Sequence, residues 1–256
     1  MLTAMATESP TTTPPAPRVA LVTGGAKRVG RGVVVALAAA GFDVALTYHR
    51  SADDAESLVE QIRQTGRRAL AIKADLRDPA RATAAIADTV ARTFGRLDLL
   101  VNNASLYAPG DLRTLTPEAL RAAFAIHVES PLLLARAFEP HLRRSRGHIV
   151  NMLDLLAERP WPAYLGYCAT KAALWNLTLG LARDLAPDVT VNGIAPGVVE
   201  WSDDYPPDQR EKYLKRVPLA RPGTPDDVAS AVLYFATAAP YVTGQVLRLD
   251  GGRSIT

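Results

Sequence analysis

The stretch that decides the fold of this chain runs from Arg18 to Gly30 and reads RVALVTGGAKRVG. A short apolar run leads through two adjacent glycines into a segment of helical periodicity that ends at Gly41. Glycines in such a turn let the backbone approach a pyrophosphate, whose negative charge the amino end of a helix favours. Glycines that serve only the turn and its packing are the alternative, and their position between a strand and a helix argues for the phosphate site.

From residue 18 onward, short apolar runs alternate with longer helical patterns. We expect strands at 18–22, 44–48, 69–73, 97–101, 148–152, 189–194 and 245–249, and helices at 29–40, 53–65, 79–94, 117–142, 164–185 and 225–236. Strands that read as unbroken runs of Val, Leu and Ile are buried on both faces, which predicts a parallel sheet covered by helices on each side. With right-handed crossovers, residues 18–256 then form one α/β domain, a Rossmann-type doubly wound parallel sheet of about seven strands.

The composition is that of an ordinary globular protein, because 48% of the 256 residues are hydrophobic and 21% are charged. The formal net charge is only +3, and no basic stripe with interleaved aromatic residues is present, so we expect no nucleic-acid partner. Apolar runs fall short of the roughly 20 residues that cross a bilayer, so we expect no membrane span. The single cysteine, Cys168, excludes a disulfide within the chain and fits a reducing compartment.

The first 17 residues are rich in Thr and Pro and contain an acid, Glu8. They have neither a basic amino-terminal region nor a long apolar region, so they resemble neither a signal peptide nor a transit peptide. We therefore expect residues 1–17 to form a disordered tail and the protein to be cytoplasmic. Met5 would serve as a start as well as Met1.

The end of the second expected strand indicates which dinucleotide would bind. Sites for NAD place an Asp or Glu here to bind the ribose 2′-hydroxyl, whereas an Arg accommodates a 2′-phosphate. This chain has His49, Arg50 and Ser51 at this point and no acid. Arg50 offers a fork that matches phosphate oxygens, Ser51 is a candidate N-cap of the next helix, and Lys27 lies on the facing turn. NADPH is therefore the expected cofactor, and a solvated basic loop is the alternative.

Tyr167 and Lys171 stand four residues apart in an expected helix and so lie on one face of it. A tyrosine has an ordinary pKa of about 10, and a nearby ammonium would lower that pKa towards the working range of an acid or base. Pairs of this kind also occur by chance on protein surfaces. Asp154 strengthens the catalytic interpretation because it follows the strand 148–152, at the carboxyl edge where open α/β sheets bind ligands.

Six motifs in a fixed order make the chain resemble the short-chain dehydrogenases/reductases from residue 18 to residue 256. They are Thr23-Gly24…Gly30, Ala74-Asp75-Leu76, Asn102-Asn103-Ala104-Ser105, Tyr167-x-x-x-Lys171, 191–197 and 242–252. The resemblance implies that Tyr167 donates a proton and that Lys171 binds the nicotinamide ribose and lowers the pKa of Tyr167. The other cofactor contacts that it implies are at Gly24, Lys27, Arg28 and Gly30 in the turn, Asp75 and Leu76 near the adenine, Asn103, Ala104 and Ser105, and Pro196 and Gly197 near the nicotinamide.

Three positions depart from the family pattern. Arg28 replaces the usual middle glycine of the first turn, Asp154 replaces the catalytic serine, and His127 stands where an asparagine commonly serves a proton relay. The serine hydroxyl would bind the oxygen of a ketone substrate, so its loss argues against a carbonyl reductase. His127 is either a member of the relay or a core histidine with satisfied hydrogen bonds. Asp154 is either a catalytic residue or the cap of a turn.

The pteridine reductases and the dihydromonapterin reductases share departures of this kind. The chain resembles them at Lys27-Arg28-x-Gly30, at 48–51, at Asn103-Ala104-Ser105-x-Tyr107, at Asn151-Met152-x-Asp154, and over 203–219, which resembles their substrate loop. The resemblance implies that Asp154 helps Tyr167 to relay a proton. Arg28 and Ser105 would hold the polar edge of a pterin, with Tyr107 stacked over its ring. An ordinary loop aromatic is the alternative for Tyr107.

The leading hypothesis is an NADPH-dependent reductase that transfers hydride to a pterin or dihydropterin, with dihydrofolate as a further candidate. The second is an NADPH-dependent carbonyl reductase of the 3-oxoacyl type, and the third is a non-catalytic NADP-binding sensor on the same fold. Trp161, Trp201 and Tyr205 are candidate pocket residues, with simple packing as their alternative. The resemblance also implies a homotetramer formed through the helices 117–142 and 164–185. No metal site is expected.

Overall fold

The computed structural model describes residues 16–201 and 205–256. The strands are β1 Val19–Val22, β2 Asp43–Tyr48, β3 Ala69–Lys73, β4 Leu99–Asn102, β5 His148–Met152, β6 Thr190–Pro196 and β7 Val246–Leu249. They form one parallel sheet in the order β3-β2-β1-β4-β5-β6-β7, so the predicted doubly wound α/β fold is confirmed. The tail expected at 1–17 lies, as far as residue 15, outside the described residues.

The helices are α1 Arg28–Ala39, α2 Ala52–Arg63, α3 Pro79–Phe94, α4 Pro117–Phe124, α5 Ser130–Ser145, α6 Leu165–Asp184, α7 Pro207–Leu214 and α8 Pro225–Thr237. The helix expected over 117–142 is interrupted by a π-helical turn, Ala125–Glu129, which joins α4 to α5. None of the described helices is long and apolar enough to cross a membrane.

Within the segment 203–219, which resembles a substrate loop, the structure forms a helix, α7, that was not predicted. Pro207 suits the first position of a helix, and Asp208 lies in the first turn, where an acid is favoured. Ion pairs one helical turn apart, from Lys212 to Asp208 and from Lys215 to Glu211, add to its stability. Residues 203 and 204 of the expected loop lie outside the described residues.

Both faces of the sheet are covered, as β1 shows. Ala20 and Val22 face one way and pack with apolar residues of α1, α2 and α8. Val19 and Leu21 face the other way and pack with residues of α3, α5 and α6. All four side chains are buried, which is why the strand reads as an unbroken apolar run.

The order of the strands places the ligand crevice at one edge. β1 lies between β2 and β4, so the chain winds away from it in two directions, and the carboxyl ends of β1 and β4 flank a topological switch point. Residues that follow β1, β4, β5 and β6 therefore converge at this edge. The turn after β1, Asn103, Asp154 and Gly197 all lie at this edge.

Close packing requires glycine in the turn after β1. A Cβ atom on Gly30 would collide with the carbonyl oxygen of Gly24 and lie 2.7 Å from Nδ2 of Asn103. That amide donates to the carbonyl oxygens of Thr23 at 2.9 Å and of Gly24 at 3.0 Å, which ties the turn to the end of β4. The packing role that was the alternative for these glycines is therefore present, and it sets the position of the amino end of α1.

Replacing Gly30 by alanine tests this packing. We expect Gly30→Ala to lower the free energy of unfolding by about 1–3 kcal/mol, because the new methyl group has no space. Gly180→Ala is the matched control: Gly180 lies within α6 with open space around it, and a helical glycine costs roughly 0.5–1 kcal/mol relative to alanine. Urea unfolding of both variants measures the two effects, and a neutral Gly30→Ala would contradict the assignment.

Candidate active site

A cavity of about 410 Å³ opens at the carboxyl edge of the sheet, within the size range of small-molecule sites. The predicted site residues that line it are Lys27, Arg28, Gly30, Asn103, Ser105, Tyr107, Asp154, Tyr167, Lys171, Pro196 and Gly197. The predicted residues outside its lining are Gly24, Ala104, His49, Arg50, Ser51, Asp75 and Leu76. A Cβ atom on Gly24 would lie 3.0 Å from Cα of Ala104, so the turn after β1 passes close to the end of β4.

Tyr167 and Asp154 are joined by a hydrogen bond in this cavity. The Tyr167 hydroxyl donates to Oδ2 of Asp154 at 2.7 Å, while Oδ1 accepts from the backbone N–H of Leu156 at 2.8 Å. The second bond caps the short 3-10 helix Leu155–Ala157. Asp154 is therefore the cap of a turn and also the hydrogen-bond partner of the tyrosine, while its catalytic role stays a prediction.

Lys171 lies one helical turn after Tyr167 on α6 and is buried. Its ammonium donates to the carbonyl oxygen of Met152, the last residue of β5, at 2.7 Å and lies 5.6 Å from the centre of the Tyr167 ring. Burial lowers the pKa of Lys171 to about 8, while the charge of Asp154 acts in the opposite direction. The end of β5 thus holds a cation beside the tyrosine.

The net pKa shift of Tyr167 is upward in this arrangement, and the lowering of that pKa by Lys171 stays a prediction. Burial raises the pKa of Tyr167 well above its ordinary value, and the charge and hydrogen bond of Asp154 raise it further. Burial also raises the pKa of Asp154, against the hydrogen bonds from Leu156 and Tyr167. Tyr167 is therefore a neutral phenol beside a carboxyl group that takes up a proton more readily than a surface aspartate.

His127 lies in the π-helical turn between α4 and α5 and is fully buried. Its Nδ1 lies 2.7 Å from Oγ1 of Thr170, and its Nε2 lies 3.0 Å both from the Ser105 hydroxyl and from the backbone nitrogen of Leu106. Burial lowers the pKa of His127 to about 2, so the ring is neutral. The structure therefore agrees with the interpretation of His127 as a core histidine, because it is buried and both of its ring nitrogens are hydrogen-bonded. Such π-helical turns are frequent at functional sites.

Tyr107 packs against Tyr167 at the cavity. Its ring stacks on Tyr164 with centres 4.4 Å apart and meets Tyr167 edge-on at 4.8 Å. Burial is the main cause that raises the pKa of Tyr107, yet half of the side chain stays exposed at the cavity. This position suits a lid better than an ordinary loop aromatic. Tyr164 was not predicted as a site residue. Its position three residues before Tyr167 was the signal in the sequence that could have indicated it.

Arg28 links two sides of the cavity. Its Nε donates to Oε2 of Glu200 at 3.1 Å and its Nη2 to the Glu200 carbonyl oxygen at 3.0 Å, so the turn after β1 contacts the segment after β6. The backbone of Arg28 has φ +50°, in the left-handed region that favours the glycine usual in the family. Strain of this kind is found at ligand sites. Glu200 was not predicted, because no spacing rule connects it to Arg28.

The residues expected around a 2′-phosphate differ in their partners. Arg50 is exposed at the end of β2, and within residues 16–201 and 205–256 no acid pairs with it. Lys27 is paired with Asp54 at 2.9 Å. Ser51 occupies the N-cap position of α2, but its hydroxyl makes no capping hydrogen bond, so the expected cap is only positional. Arg50 is the strongest candidate for the phosphate.

Asp75 lies just after β3 and close to the residues that follow β2. Arg77 holds its carboxylate with hydrogen bonds of 2.6–3.1 Å and keeps the pKa of Asp75 at about 2, and His49 lies 3.5 Å away. The next residue, Leu76, is buried, and its carbonyl oxygen accepts from the Ser130 hydroxyl at 3.1 Å. The backbone after β3 is thereby anchored to the start of α5.

Aromatic side chains form one wall of the cavity. Trp161, Trp201 and Tyr205 line it, as expected, and Tyr213 of α7 joins them although it was not predicted. Trp201 lies 4.8 Å from Tyr205 and 5.4 Å from Tyr213, and Trp161 lies 5.8 Å from Tyr213, measured between ring centres. Because no helix was predicted over 207–214, a buried tyrosine at this point was not expected.

Comparison with known proteins agrees with this geometry. Residues 24–254 match the family described as enoyl-(acyl carrier protein) reductase. Pteridine reductase 1 of Leishmania tarentolae is 34% identical, with 96% of this chain and 99% of that protein covered. A 3-oxoacyl-[acyl-carrier-protein] reductase of Staphylococcus aureus is also 34% identical, with 91% and 96% covered. The structure of FolM alternative dihydrofolate reductase 1 from Brucella canis, complexed with NADP, is 34% identical with a TM-score of 0.87, covering 93% and 94%.

The fold, the Tyr167–Lys171 pair and these matches define an oxidoreductase, and the chain belongs to the short-chain dehydrogenase/reductase family. The resemblance read from the six motifs is confirmed. Its pteridine reductase-like character is supported by two of the relatives, while the 3-oxoacyl reductase is equally similar. The non-catalytic sensor finds no support, because the relatives are reductases and the reacting pair is assembled.

Relief of backbone strain tests the contact between Arg28 and Glu200. Arg146, at the end of α5, has a similar φ of +49° but lies outside the cavity lining, so Arg146→Gly is the matched control. We expect Arg146→Gly to raise the free energy of unfolding by about 1 kcal/mol. Arg28→Gly should raise the free energy of unfolding by less, because this variant also loses the hydrogen bonds to Glu200. Equal gains in thermal or urea unfolding would show that the contact contributes nothing.

Proposed function

We propose that this chain is an NADPH-dependent reductase that transfers hydride to a pterin or dihydropterin, dihydrofolate included. The observation that carries the proposal is the hydrogen bond from the Tyr167 hydroxyl to Asp154 at 2.7 Å. A ketone reductase needs a hydroxyl donor at this position for the substrate oxygen. A carboxyl group beside the tyrosine instead suits delivery of a proton to a ring nitrogen, as reduction of a pterin C=N bond requires.

The turn after β1 fits the phosphates of NADPH. The first turn of α1 contains no acid, and Lys27 at its N-cap makes no side-chain cap, so the helix leaves N–H groups for an anion. Arg50 supplies positive charge at the end of β2, where an NAD site would carry an acid. The similar structure from Brucella canis is complexed with NADP, which supports this choice. When bound, NADPH supplies the hydride.

The chain's own residues handle the proton. Reduction of a C=N bond adds a hydride to carbon and a proton to the adjacent nitrogen, so each turnover consumes one proton. Tyr167 donates that proton from its hydroxyl, and protonated Asp154, 2.7 Å away, returns a proton to the same oxygen. Lys171, held on the Met152 carbonyl oxygen, stabilises the negative charge while Tyr167 is deprotonated.

The cavity walls suit a flat heteroaromatic ring. Tyr107 presents its exposed half over Tyr167, and the wall of Trp161, Trp201 and Tyr213 offers further ring faces. Stacking between rings favours a planar pterin over a flexible aliphatic chain. Arg28 and Ser105 line the same cavity and supply polar groups for the pyrimidinone edge.

Reduction of a 3-oxoacyl substrate is the second candidate. It is favoured by the Staphylococcus aureus reductase, which is as similar to this chain as the pteridine reductase is. Asp154 argues against it, because it stands in place of the serine whose hydroxyl would bind the oxygen of a ketone. Turnover of a 3-oxoacyl thioester together with no turnover of any pterin would select this candidate.

We further propose a homotetramer, cytoplasmic, with residues 18–256 as a single domain. The helices implied as contacts carry apolar side chains on their outer faces, among them Phe124, Leu132 and Leu179, each exposed. Covering such residues with a second copy of the chain would remove apolar surface from water.

Arg50→Ala tests the cofactor assignment. Loss of a charge-assisted hydrogen bond to the 2′-phosphate should raise the KM for NADPH by about tenfold or more and leave the KM for NADH unchanged. Arg92→Ala, on the exposed side of α3, is the control for loss of one surface arginine. Initial rates with each nucleotide measure both constants. Equal changes for NADPH and NADH would place the phosphate elsewhere.

The pH profile tests the role of Asp154. Reduction uses its protonated form, so kcat with dihydrobiopterin should fall as pH rises through the pKa of Asp154, which burial places above that of an ordinary aspartate. Asp154→Asn keeps an oxygen for the Leu156 N–H but cannot supply a proton. We expect kcat to fall by roughly 10²–10⁴-fold and the pH dependence to disappear. An unchanged profile in the variant, followed by NADPH absorbance, would remove Asp154 from the mechanism.

A further inference from the structure

The backbone beside His127 decides which of its nitrogens carries the proton. Nε2 lies 3.0 Å from the backbone nitrogen of Leu106, and a backbone N–H can only donate. Nε2 therefore carries a lone pair, and the ring proton is on Nδ1. Nδ1–H donates to Oγ1 of Thr170 at 2.7 Å, and the Thr170 hydroxyl donates to the carbonyl oxygen of Tyr167 at 2.8 Å.

The direction of this chain excludes a relay to the reacting hydroxyl. It ends on a backbone carbonyl oxygen, which has no proton to pass on. His127 is fully buried and meets the Tyr167 ring edge-on at 5.5 Å, without a hydrogen bond between the two side chains. The remaining candidate role of His127 therefore lies at Nε2, which is beside the Ser105 hydroxyl.

Ser105 shares the lone pair of Nε2. Its hydroxyl oxygen lies 3.0 Å from Nε2, and because that nitrogen has no proton, the Ser105 hydroxyl must donate its only proton there. Ser105 is exposed and lines the cavity, so the oxygen that remains open to a ligand can only accept a hydrogen bond.

With its proton donated to Nε2, Ser105 faces the cavity as a hydrogen-bond acceptor, whereas Tyr167 keeps the role of proton donor. A ligand N–H group would satisfy the Ser105 oxygen, whereas a carbonyl oxygen placed there would leave two acceptors facing each other.

We propose that His127 is a positioning residue that takes the Ser105 proton and so makes the Ser105 oxygen an acceptor, selecting substrates that present an N–H group at this point. The amino and ring N–H groups of an aminopyrimidinone have this chemistry, and a ketone lacks it. The substrate part rests on the proposed pterin reductase function, whereas the direction of the hydrogen bonds is independent of it.

Nitrogen-15 NMR of histidine-labelled protein tests the direction of the hydrogen bonds without turnover. We expect His127 to be neutral, with the proton on Nδ1 and Nε2 unprotonated, and to show no titration across the neutral and mildly acidic range. The signal that disappears in His127→Asn assigns the residue among the four histidines. A proton on Nε2 would overturn the proposal, since Ser105 would then be free to donate to a ligand.

A double-mutant cycle tests the effect on the substrate. His127→Asn offers an amide that donates as well as accepts, so it should raise the KM for dihydrobiopterin by roughly threefold to tenfold, the range expected for one hydrogen bond, and change kcat less. In a Ser105→Ala background the same substitution should have no further effect, because its target is gone. His141→Asn, the same change on α5 outside the cavity lining, is the control and should leave KM unaltered.

The outcomes separate the two claims. Equal effects of His127→Asn with and without Ser105 would show a general structural role and would contradict the proposal. If no pterin is turned over by the unaltered protein, the proposed function fails, and the NMR result alone decides whether His127 fixes Ser105. A proton on Nδ1 together with a non-additive cycle supports both the positioning role and the substrate class.

Discussion

The hydrogen bond from Tyr167 to Asp154 depends on how the sheet and α6 meet. Asp154 follows the end of β5, where its second oxygen caps a short helix, and Tyr167 lies in the first turn of α6. Lys171, one turn later, is anchored on Met152 at the end of the same strand. Three hydrogen bonds therefore connect the end of β5, the short helix after it and α6. Because the groups are buried together, their pKa values are set by one another and by the loss of water.

Burial changes what the tyrosine can do. A lysine beside a tyrosine in water would favour the phenolate, but here burial and a neighbouring carboxylate favour the phenol. The carboxyl group, whose own pKa is raised, becomes the nearest source of a replacement proton. A site of this kind is suited to reduction, in which a proton must be delivered, and the acceptor character of Ser105 suits a substrate that has N–H groups.

Local signals made most of the fold predictable. Strands at 69–73 and 148–152 and the helix at 79–94 have the predicted bounds, because Val/Leu/Ile runs, an N-terminal proline and a terminal glycine mark them. The π-helical turn at Ala125–Glu129 was not predictable, since one extra residue in a turn barely alters the hydrophobic period. α7 was not predicted, although its proline and ion pairs indicate a helix.

The site was predictable to the extent that it depends on residue type and position. Spacing and strand ends brought Asp154, Tyr167 and Lys171 together in the prediction. In the structure Tyr167 is hydrogen-bonded to Asp154, and the Lys171 ammonium lies 5.6 Å from the centre of the Tyr167 ring. The partners Glu200 and Tyr164 depend on tertiary approach, which spacing does not encode. The direction of the Tyr167 pKa shift depends on burial, and a sequence pattern shows which charges are near but not how much water is excluded.

A competition experiment tests the central claim most directly. Dihydrobiopterin and a 3-oxoacyl thioester at equal concentration are offered to the unaltered protein with NADPH, and both products are quantified while little of either substrate has been consumed. The product ratio gives the ratio of the two kcat/KM values, which is the measure of specificity. Reduction of the dihydropterin in large excess is the predicted result. Preferential reduction of the ketone would contradict the claim that the carboxyl group beside Tyr167 directs the site towards C=N bonds.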